Sequence, residues 1–211
     1  MPRRRYPLNP NRPYHVTVRC CNRDFFAIPV AQVWQFFTDQ LYFVQRAYEL
    51  RIHSYVLMDN HFHMIITSPN GNLAEAMQYY VRQLSWCIGD ASSRINHVFG
   101  NRYHRTELVT DIYLAHAYKY LYRNPVEAGL CDRVEDYRYS SLRGLLGFER
   151  APVMLAEDSR LFENLLGCIE WMNTEYKSGH RDDIRKALKK EQFKFAQRKR
   201  GRPSPLESML S

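Results

Sequence analysis

The spacing of apolar residues in the first part of the chain changes repeatedly between two periods, and this constrains the fold more than any other feature. Apolar and polar side chains alternate over residues 14–20, which is the period of a half-buried β-strand. After Pro29 the apolar residues recur every three or four positions up to Leu50, as they do on one face of an α-helix. A strand followed by a long amphipathic helix is therefore predicted.

Two short apolar runs follow, over residues 51–58 and 61–67. The Asp59-Asn60 pair between them is typical of a tight hairpin turn, so the runs are predicted to form paired antiparallel strands. A second helix is predicted from Leu73 into the mid-90s, where apolar residues again fall on one helical face.

Residues 102–109 predict a fourth strand, although their alternation is weaker. Asp111 is typical of the N-cap of a third helix, and the Asn124-Pro125 pair should end it because a residue before proline disfavours the helical conformation. The order β-α-β-β-α-β followed by a helix is that of an α+β, ferredoxin-like fold. We expect an antiparallel sheet with helices on one face and an added helix after the last strand.

The charge of the chain is concentrated near its C-terminal end. The 211 residues include 30 Lys and Arg against 22 Asp and Glu, a net charge of +8, and residues 177–202 alone hold eleven basic and three acidic residues. This excess favours an anionic partner such as nucleic acid. Helices are predicted over 157–173 and, with a basic surface, over 182–198. The predicted organisation is a main domain over residues 1–150, a helical extension over 151–176, and a basic, flexible arm over 177–211.

The predicted arm contains Lys199-Arg-Gly-Arg-Pro203, which resembles the core of an AT-hook, a motif that places arginines in a narrow minor groove. The alternative is a solvated cationic tail that attracts phosphates regardless of sequence. In both interpretations the residues expected to contact DNA are Arg198, Lys199, Arg200 and Arg202.

Cysteine usage and hydropathy indicate the cellular setting. The five cysteines include no C-x-x-C pair, so neither a disulfide framework nor a thiolate zinc site is indicated, and a reduced, cytoplasmic setting is favoured. The N-terminal residues are basic and proline-rich and lack the apolar stretch of a signal peptide. No run of about 18 apolar residues is present, so no membrane partner is expected.

The His61-Phe62-His63 triplet is the strongest local signal for chemistry. On a strand, residues two apart point to the same face with backbones about 6.6–7 Å apart, so the two imidazoles can converge on one metal ion. Phe62, Met64 and Ile66 would then face the core. The alternative interpretation is a hairpin strand that carries two histidines on a polar face.

The third predicted helix carries a second group of polar side chains at helical spacing, which comprises Tyr113, His116, Tyr120 and Asn124. Tyr120 and Asn124 are one turn apart and can present a phenol and an amide oxygen to the same point. Asn124 could complete a metal site with three protein ligands and positions left open for substrate. Alternatively, Tyr120 is a packing residue and Asn124 is a helix stop before proline.

Several motifs in their chain order resemble a known family. They are Leu57-Met-Asp-Asn-His-Phe-His63, Tyr120-Leu-Tyr-Arg-Asn-Pro-Val-Glu-Ala-Gly-Leu130, Tyr14-His-Val-Thr, and Tyr137-Arg-Tyr-Ser-Ser141. Over about residues 13–145 the chain resembles the HUH single-tyrosine transposases, and most closely the REP-associated tyrosine transposases of bacteria. It departs from the family pattern at positions that bear on DNA binding more than on cleavage, namely Cys20, Asp59, Phe99 and Tyr139.

The resemblance implies a ferredoxin-like nuclease that binds hairpin-forming, REP-like single-stranded DNA and cuts it through a covalent 5′-phosphotyrosine intermediate. It implies Tyr120 as the nucleophile and His61, His63 and Asn124 as ligands of a divalent metal. The closer match to the REP-associated branch favours a monomer, and a dimer is the alternative.

The chemistry of phosphodiester transfer gives the same residues a role. Two imidazoles and an amide are neutral ligands that leave the full charge of Mg²⁺ or Mn²⁺ facing the phosphate, and Mn²⁺ suits imidazole better. Because a free tyrosine has a pKa of about 10, Tyr120 needs help to lose its proton, for which His116, His104 and the metal are candidates.

Two rival functions remain at this point. One is a DNA-binding regulator that keeps the fold without catalysis. The other is a phosphohydrolase of the H-x-H-x-H kind, which is disfavoured because Ile65 stands where the third histidine would be.

Overall fold

The computed structural model describes residues 7–156 and 164–195. Four strands form one antiparallel sheet in the order β2-β3-β1-β4, where the strands are β1 (Pro13–Arg19), β2 (Arg51–Leu57), β3 (His61–Thr67) and β4 (His104–Glu107). The chain is therefore a mixed α+β protein, as predicted, and its elements follow the predicted β-α-β-β-α-β-α order.

Two long helices cover one face of the sheet, α1 (Val30–Ala47) and α2 (Leu73–Ala91). Alternate residues of β1 and β3 point into the core between sheet and helices, and Phe62 of β3 lies 5.4 Å from the ring of Phe37 in α1. Each fully buried side chain of this size contributes about 1.5–3 kcal/mol to folding. The residues of β1 and β3 that face this core are Tyr14, Val16, Val18, Phe62, Met64 and Ile66.

A third helix, α3 (Asp111–Glu127), covers the opposite face of the sheet. Ala117 and Leu121 of α3 form a second buried cluster with Val56 of β2 and Ile65 of β3. Strand residues between those that face the α1/α2 core point to the other face of the sheet and therefore lie beneath α3. The histidines of β3 are among them.

The start of α3 differs from the prediction by one residue. Thr110, not Asp111, is the N-cap, because its side-chain oxygen accepts a hydrogen bond from the backbone nitrogen of Tyr113 at 3.2 Å. Asp111 instead occupies the first turn, where a carboxylate interacts favourably with the helix dipole.

The predicted helix stop at Asn124-Pro125 is wrong, since α3 continues through Pro125 to Glu127. A proline inside a helix removes one backbone hydrogen bond, but every residue of α3 from Leu114 to Pro125 is buried, and this packing outweighs that loss. The chain leaves the helix near Gly129, whose φ of 71° lies in the left-handed region. Asn124 therefore sits in regular helix.

After α3 come a short helix α4 (Leu142–Leu145) and two further helices, α5 (Leu165–Asn173) and α6 (His180–Ala187), which both contact α3. Single turns of 3-10 helix lie at Cys21–Arg23 and Val134–Asp136. Within the predicted helix 157–173, only the part from Leu165 onward falls among the described residues as helix. No helix in the described ranges is long and apolar enough to cross a membrane.

The segment predicted as a basic, flexible arm is packed against the body as far as residue 195. The helix predicted over 182–198 ends at Ala187. Ile184, Leu188 and Phe193 are buried in the same cluster as Ala117 and Leu121 of α3. The prediction of a flexible arm is based on the excess of basic residues and does not take these apolar residues into account. Residues 196–211, with Arg198, Lys199, Arg200 and Arg202, lie outside the described residues.

The segment up to residue 195 also lies along the outer edge of β4. Strand β4 itself is shorter than the predicted strand over 102–109. The nitrogen of Glu107 donates to the carbonyl of Glu191 at 2.8 Å, and the nitrogen of Phe193 donates to the carbonyl of Glu107 at 2.9 Å. The outward-facing backbone groups of Glu107 at this edge are thus satisfied within the chain.

Candidate functional site

His61 and His63 lie on the α3 side of β3, with their ring centroids 4.9 Å apart and nearly perpendicular. Phe62 between them points into the α1/α2 core and is fully buried. The strand therefore separates its two faces as the sequence predicts, with apolar side chains on one and imidazoles on the other.

Helix α3 places Tyr120 over these imidazoles. The Tyr120 ring centroid lies 5.7 Å from that of His63, and the two rings are perpendicular. The site thus brings together the predicted tyrosine of one element and the predicted histidine pair of another.

A third histidine, His15 of β1, belongs to the same cluster and was not predicted as a site residue. Its Nε2 lies 2.9 Å from Nδ1 of His63, and its ring centroid lies 6.4 Å from that of Tyr120. In the sheet register Thr17 pairs with His63 and His15 with Ile65, so His15 is the diagonal neighbour of His63. The alternation within β1 predicts that His15 points to the other face of the sheet from Tyr14 and Val16. Only the pairing of β1 with the distant strand β3 brings His15 to His63.

All three imidazoles of this cluster are held in the neutral form. Burial is the main cause that lowers the pKa of His15 well below its usual value, and the neighbouring His63 and His104 lower it further. The pKa of His63 is also well below its usual value, mainly because of burial and then because of His61. The pKa of His61 is lowered to about 3, mainly by burial and then by the Arg19 guanidinium. At neutral pH each ring therefore carries an unprotonated nitrogen, the form that binds a metal.

The donor set fits a divalent cation. Nε2 of His63 is buried without a hydrogen-bond partner in the part of the chain that the structure describes, so its lone pair is available to a cation. The amide nitrogen of Asn124 is also unpartnered there, but an amide nitrogen only donates hydrogen bonds, so Asn124 would bind a cation through its Oδ1. Those ranges contain no group of three His, Cys, Asp or Glu side chains able to hold a metal. A third protein ligand beside the two histidines would therefore be a side chain of another type, and the predicted one is the amide of Asn124. Asn124 lies one turn after Tyr120 and is 8% exposed.

Burial and nearby charges act in opposite directions on the phenol of Tyr120. Burial raises its pKa, whereas the guanidinium groups of Arg181, Arg185 and Arg19 lower it. Arg181 belongs to α6 and lies 3.5 Å from a carboxylate oxygen of Glu127. These arginines were not among the predicted DNA-contacting residues. Their guanidinium groups can pair with phosphate oxygens close to the tyrosine.

The two histidines predicted to assist proton transfer lie in different surroundings. The His116 ring packs against Trp171 and Phe195, its two nitrogens have no partner among the described residues, and burial lowers its pKa to about 4. His104 of β4 pairs with Thr17 on the same sheet face as the imidazole cluster, and its Nε2 donates to the carbonyl of Leu188 at 3.1 Å.

Two buried basic side chains fix the outer face of α3. Lys119 donates to the carbonyl of Trp171 at 2.8 Å, and burial followed by Arg123 lowers its pKa to about 8. Arg123 donates to the carbonyls of Asn173 and Thr174 at 2.7 and 2.9 Å. These contacts satisfy carbonyls at the C-terminal end of α5, so the extension anchors the helix that carries Tyr120.

A solved structure shares the fold of this chain. No protein-family model and no curated protein matches the chain. Among solved structures, the chain is similar to a REP-associated tyrosine transposase bound to a REP hairpin, with a TM-score of 0.60 and 17% sequence identity, over 85% of this chain and 97% of that one. The resemblance predicted from the motifs is thus confirmed at the level of the fold.

Proposed function

We propose that this protein is a single-tyrosine DNA transposase of the REP-associated kind, which cleaves and rejoins hairpin-forming single-stranded DNA. The observation that carries the proposal is the position of the Tyr120 ring, 5.7 Å from that of His63. The fold shared with a REP-associated tyrosine transposase supports it. The strand order β2-β3-β1-β4 supports a ferredoxin-like core.

The reaction is a transesterification at phosphorus. The Tyr120 oxygen forms a bond to the phosphorus as the bond to the 3′ oxygen breaks, which leaves a 5′-phosphotyrosine and a free 3′-hydroxyl. The phenol proton passes to a base, for which His116 and His104 are the side-chain candidates, and the departing 3′ oxygen gains a proton. Since no water is consumed, attack by a 3′-hydroxyl on the phosphotyrosine reverses the reaction and rejoins the strand.

The residues His61, His63 and Asn124 would hold a divalent metal, Mn²⁺ or Mg²⁺. When bound, this ion supplies the positive charge that stabilises the phosphoryl oxygens. The protein contributes neutral ligands, since the pKa values of His61 and His63 are lowered by burial. Imidazole ligands favour Mn²⁺ over Mg²⁺.

The partner proposed for this site is single-stranded DNA with a REP-like hairpin. The guanidinium groups of Arg19, Arg181 and Arg185 lower the pKa of the Tyr120 phenol, and in this proposal they would pair with the phosphate under attack. Contacts to DNA by residues 198–202 stay a prediction, as does a cytoplasmic location. A monomer is proposed from the closer motif match to the REP-associated branch, and the pairing of Glu107 at the β4 edge with residues of the same chain supports it.

The proposal is tested by incubating hairpin-containing DNA, labelled at either end, with the protein and Mn²⁺. A denaturant-resistant adduct should retain the 3′ label and release the 5′-labelled fragment. Tyr120→Phe should abolish the adduct, whereas Tyr113→Phe on the same helix should retain it. Tight DNA binding without any adduct would favour the regulator, and an adduct formed by Tyr120→Phe would refute the assigned nucleophile.

A further inference from the structure

We propose that His15 is a positioning residue that accepts a hydrogen bond from His63 and so fixes which His63 nitrogen faces the metal and Tyr120. This inference rests on the proposed function, because it concerns the same metal site. It adds a residue of β1 that neither the H-x-H motif nor the family resemblance assigns.

The geometry consists of one short contact between two buried rings. Nε2 of His15 and Nδ1 of His63 are 2.9 Å apart, and the rings are nearly parallel with centroids 5.0 Å apart. His15 is 1% exposed and His63 is 5% exposed, so water has little access to this contact. A neutral imidazole carries one proton, so one of the two nitrogens donates and the other accepts.

The role of His63 as a metal ligand would decide the direction of this hydrogen bond. The other nitrogen of His63, Nε2, is buried without a partner among the described residues, and the centroid of its ring lies 5.7 Å from that of Tyr120. A nitrogen that binds a metal must be unprotonated, so the proton of His63 has to sit on Nδ1. Nε2 of His15 would then be the acceptor, and His15 would carry its own proton on Nδ1, which is buried without a hydrogen-bond partner among the described residues.

The backbone holds His15 firmly enough for this role. Strand β1 lies between β3 and β4, and His15 pairs with Ile65 on one side and with Thr106 on the other. A residue on a strand bonded at both sides has little freedom to shift. Partners of this kind fix the tautomer and orientation of a metal-binding histidine, and their loss typically weakens metal affinity 10- to 100-fold.

The test compares Mn²⁺ affinity among variants of the full chain, measured from the electron paramagnetic resonance signal of free Mn²⁺. His15→Ala removes the acceptor and should weaken binding by about 10- to 100-fold. His15→Gln retains an acceptor oxygen near the position of Nε2 and should bind nearly as tightly as the wild type. His97→Ala, in an exposed loop, is the control and should not change the affinity. Circular dichroism verifies that each variant is folded.

A second readout is the tautomer of His63 in the Mg²⁺-loaded protein, from long-range ¹H–¹⁵N spectra. The wild type and His15→Gln should show His63 protonated on Nδ1, and His15→Ala should lose this preference. Unchanged Mn²⁺ affinity in His15→Ala, or equal losses in the Ala and Gln variants, would overturn the inference while leaving the proposed metal site in place. A wild type that binds neither ion would overturn the metal site and the inference with it.

Discussion

Replacing Arg123 by methionine should destabilise the protein strongly, because this side chain joins α3 to the C-terminal extension. Its Nη1 donates to the carbonyls of Asn173 and Thr174, and its Nη2 lies 2.8 Å from a carboxylate oxygen of Glu127. Removing one partner of a fully buried ion pair costs about 3–5 kcal/mol. The Glu127 side chain is 21% exposed and has a second partner in Arg181, so we expect a loss of about 2–4 kcal/mol in unfolding free energy.

The assay is urea unfolding followed by circular dichroism, with Arg143→Met as the matched control. Arg143 also pairs with a glutamate, Glu149, at 2.6 Å, but the two side chains are 26% and 43% exposed. Surface pairs of this kind contribute at most about 1 kcal/mol. A loss in Arg123→Met no larger than that in Arg143→Met would refute the view that this arginine anchors α3.

Two further predictions concern pH. The pKa of His116 is lowered to about 4, so the unfolded chain takes up this proton near pH 6.5 and the folded chain only near pH 4. The unfolding free energy should therefore fall as the pH drops between these values. Urea unfolding of His116→Gln at pH 7 and 4.5 should show a fall smaller by about 2–3 kcal/mol than in the wild type, and an unchanged fall would contradict the prediction. Replacing Arg181 and Arg185 together removes cations that lower the pKa of Tyr120. Adduct formation should then be slower at neutral pH, and its rate should rise only at higher pH than in the wild type. An unchanged pH dependence of this rate would contradict the assigned electrostatics.

Local patterns in the sequence were sufficient to predict one half of the candidate site. The period-two alternation of β3 placed His61 and His63 on one face and Phe62 on the other, as the structure shows. The helical spacing that set Tyr120 and Asn124 one turn apart holds because α3 continues beyond Pro125. Such patterns depend only on residues that are close in the sequence. They predict side-chain orientation correctly when tertiary packing favours the same secondary structure.

The rest of the site depends on contacts between distant parts of the chain. His15 reaches His63 through strand pairing across 48 residues, and no pattern within β1 specifies that register. Lys119 and Arg123 would be expected on the surface by residue type, yet both are buried because carbonyls at the end of α5 accept their hydrogen bonds. The charge of residues 177–195 likewise concealed the apolar side chains that pack them against α3.

The account is tested most directly by locating the attachment site of DNA on the protein. The adduct formed with hairpin DNA and Mn²⁺ would be digested with protease and nuclease, and the modified peptide sequenced by mass spectrometry. We predict a single nucleotide joined through its 5′-phosphate to Tyr120. Attachment at another residue, such as the neighbouring Tyr118 or Tyr122, would contradict the central claim that Tyr120 and the β3 histidines form one catalytic site.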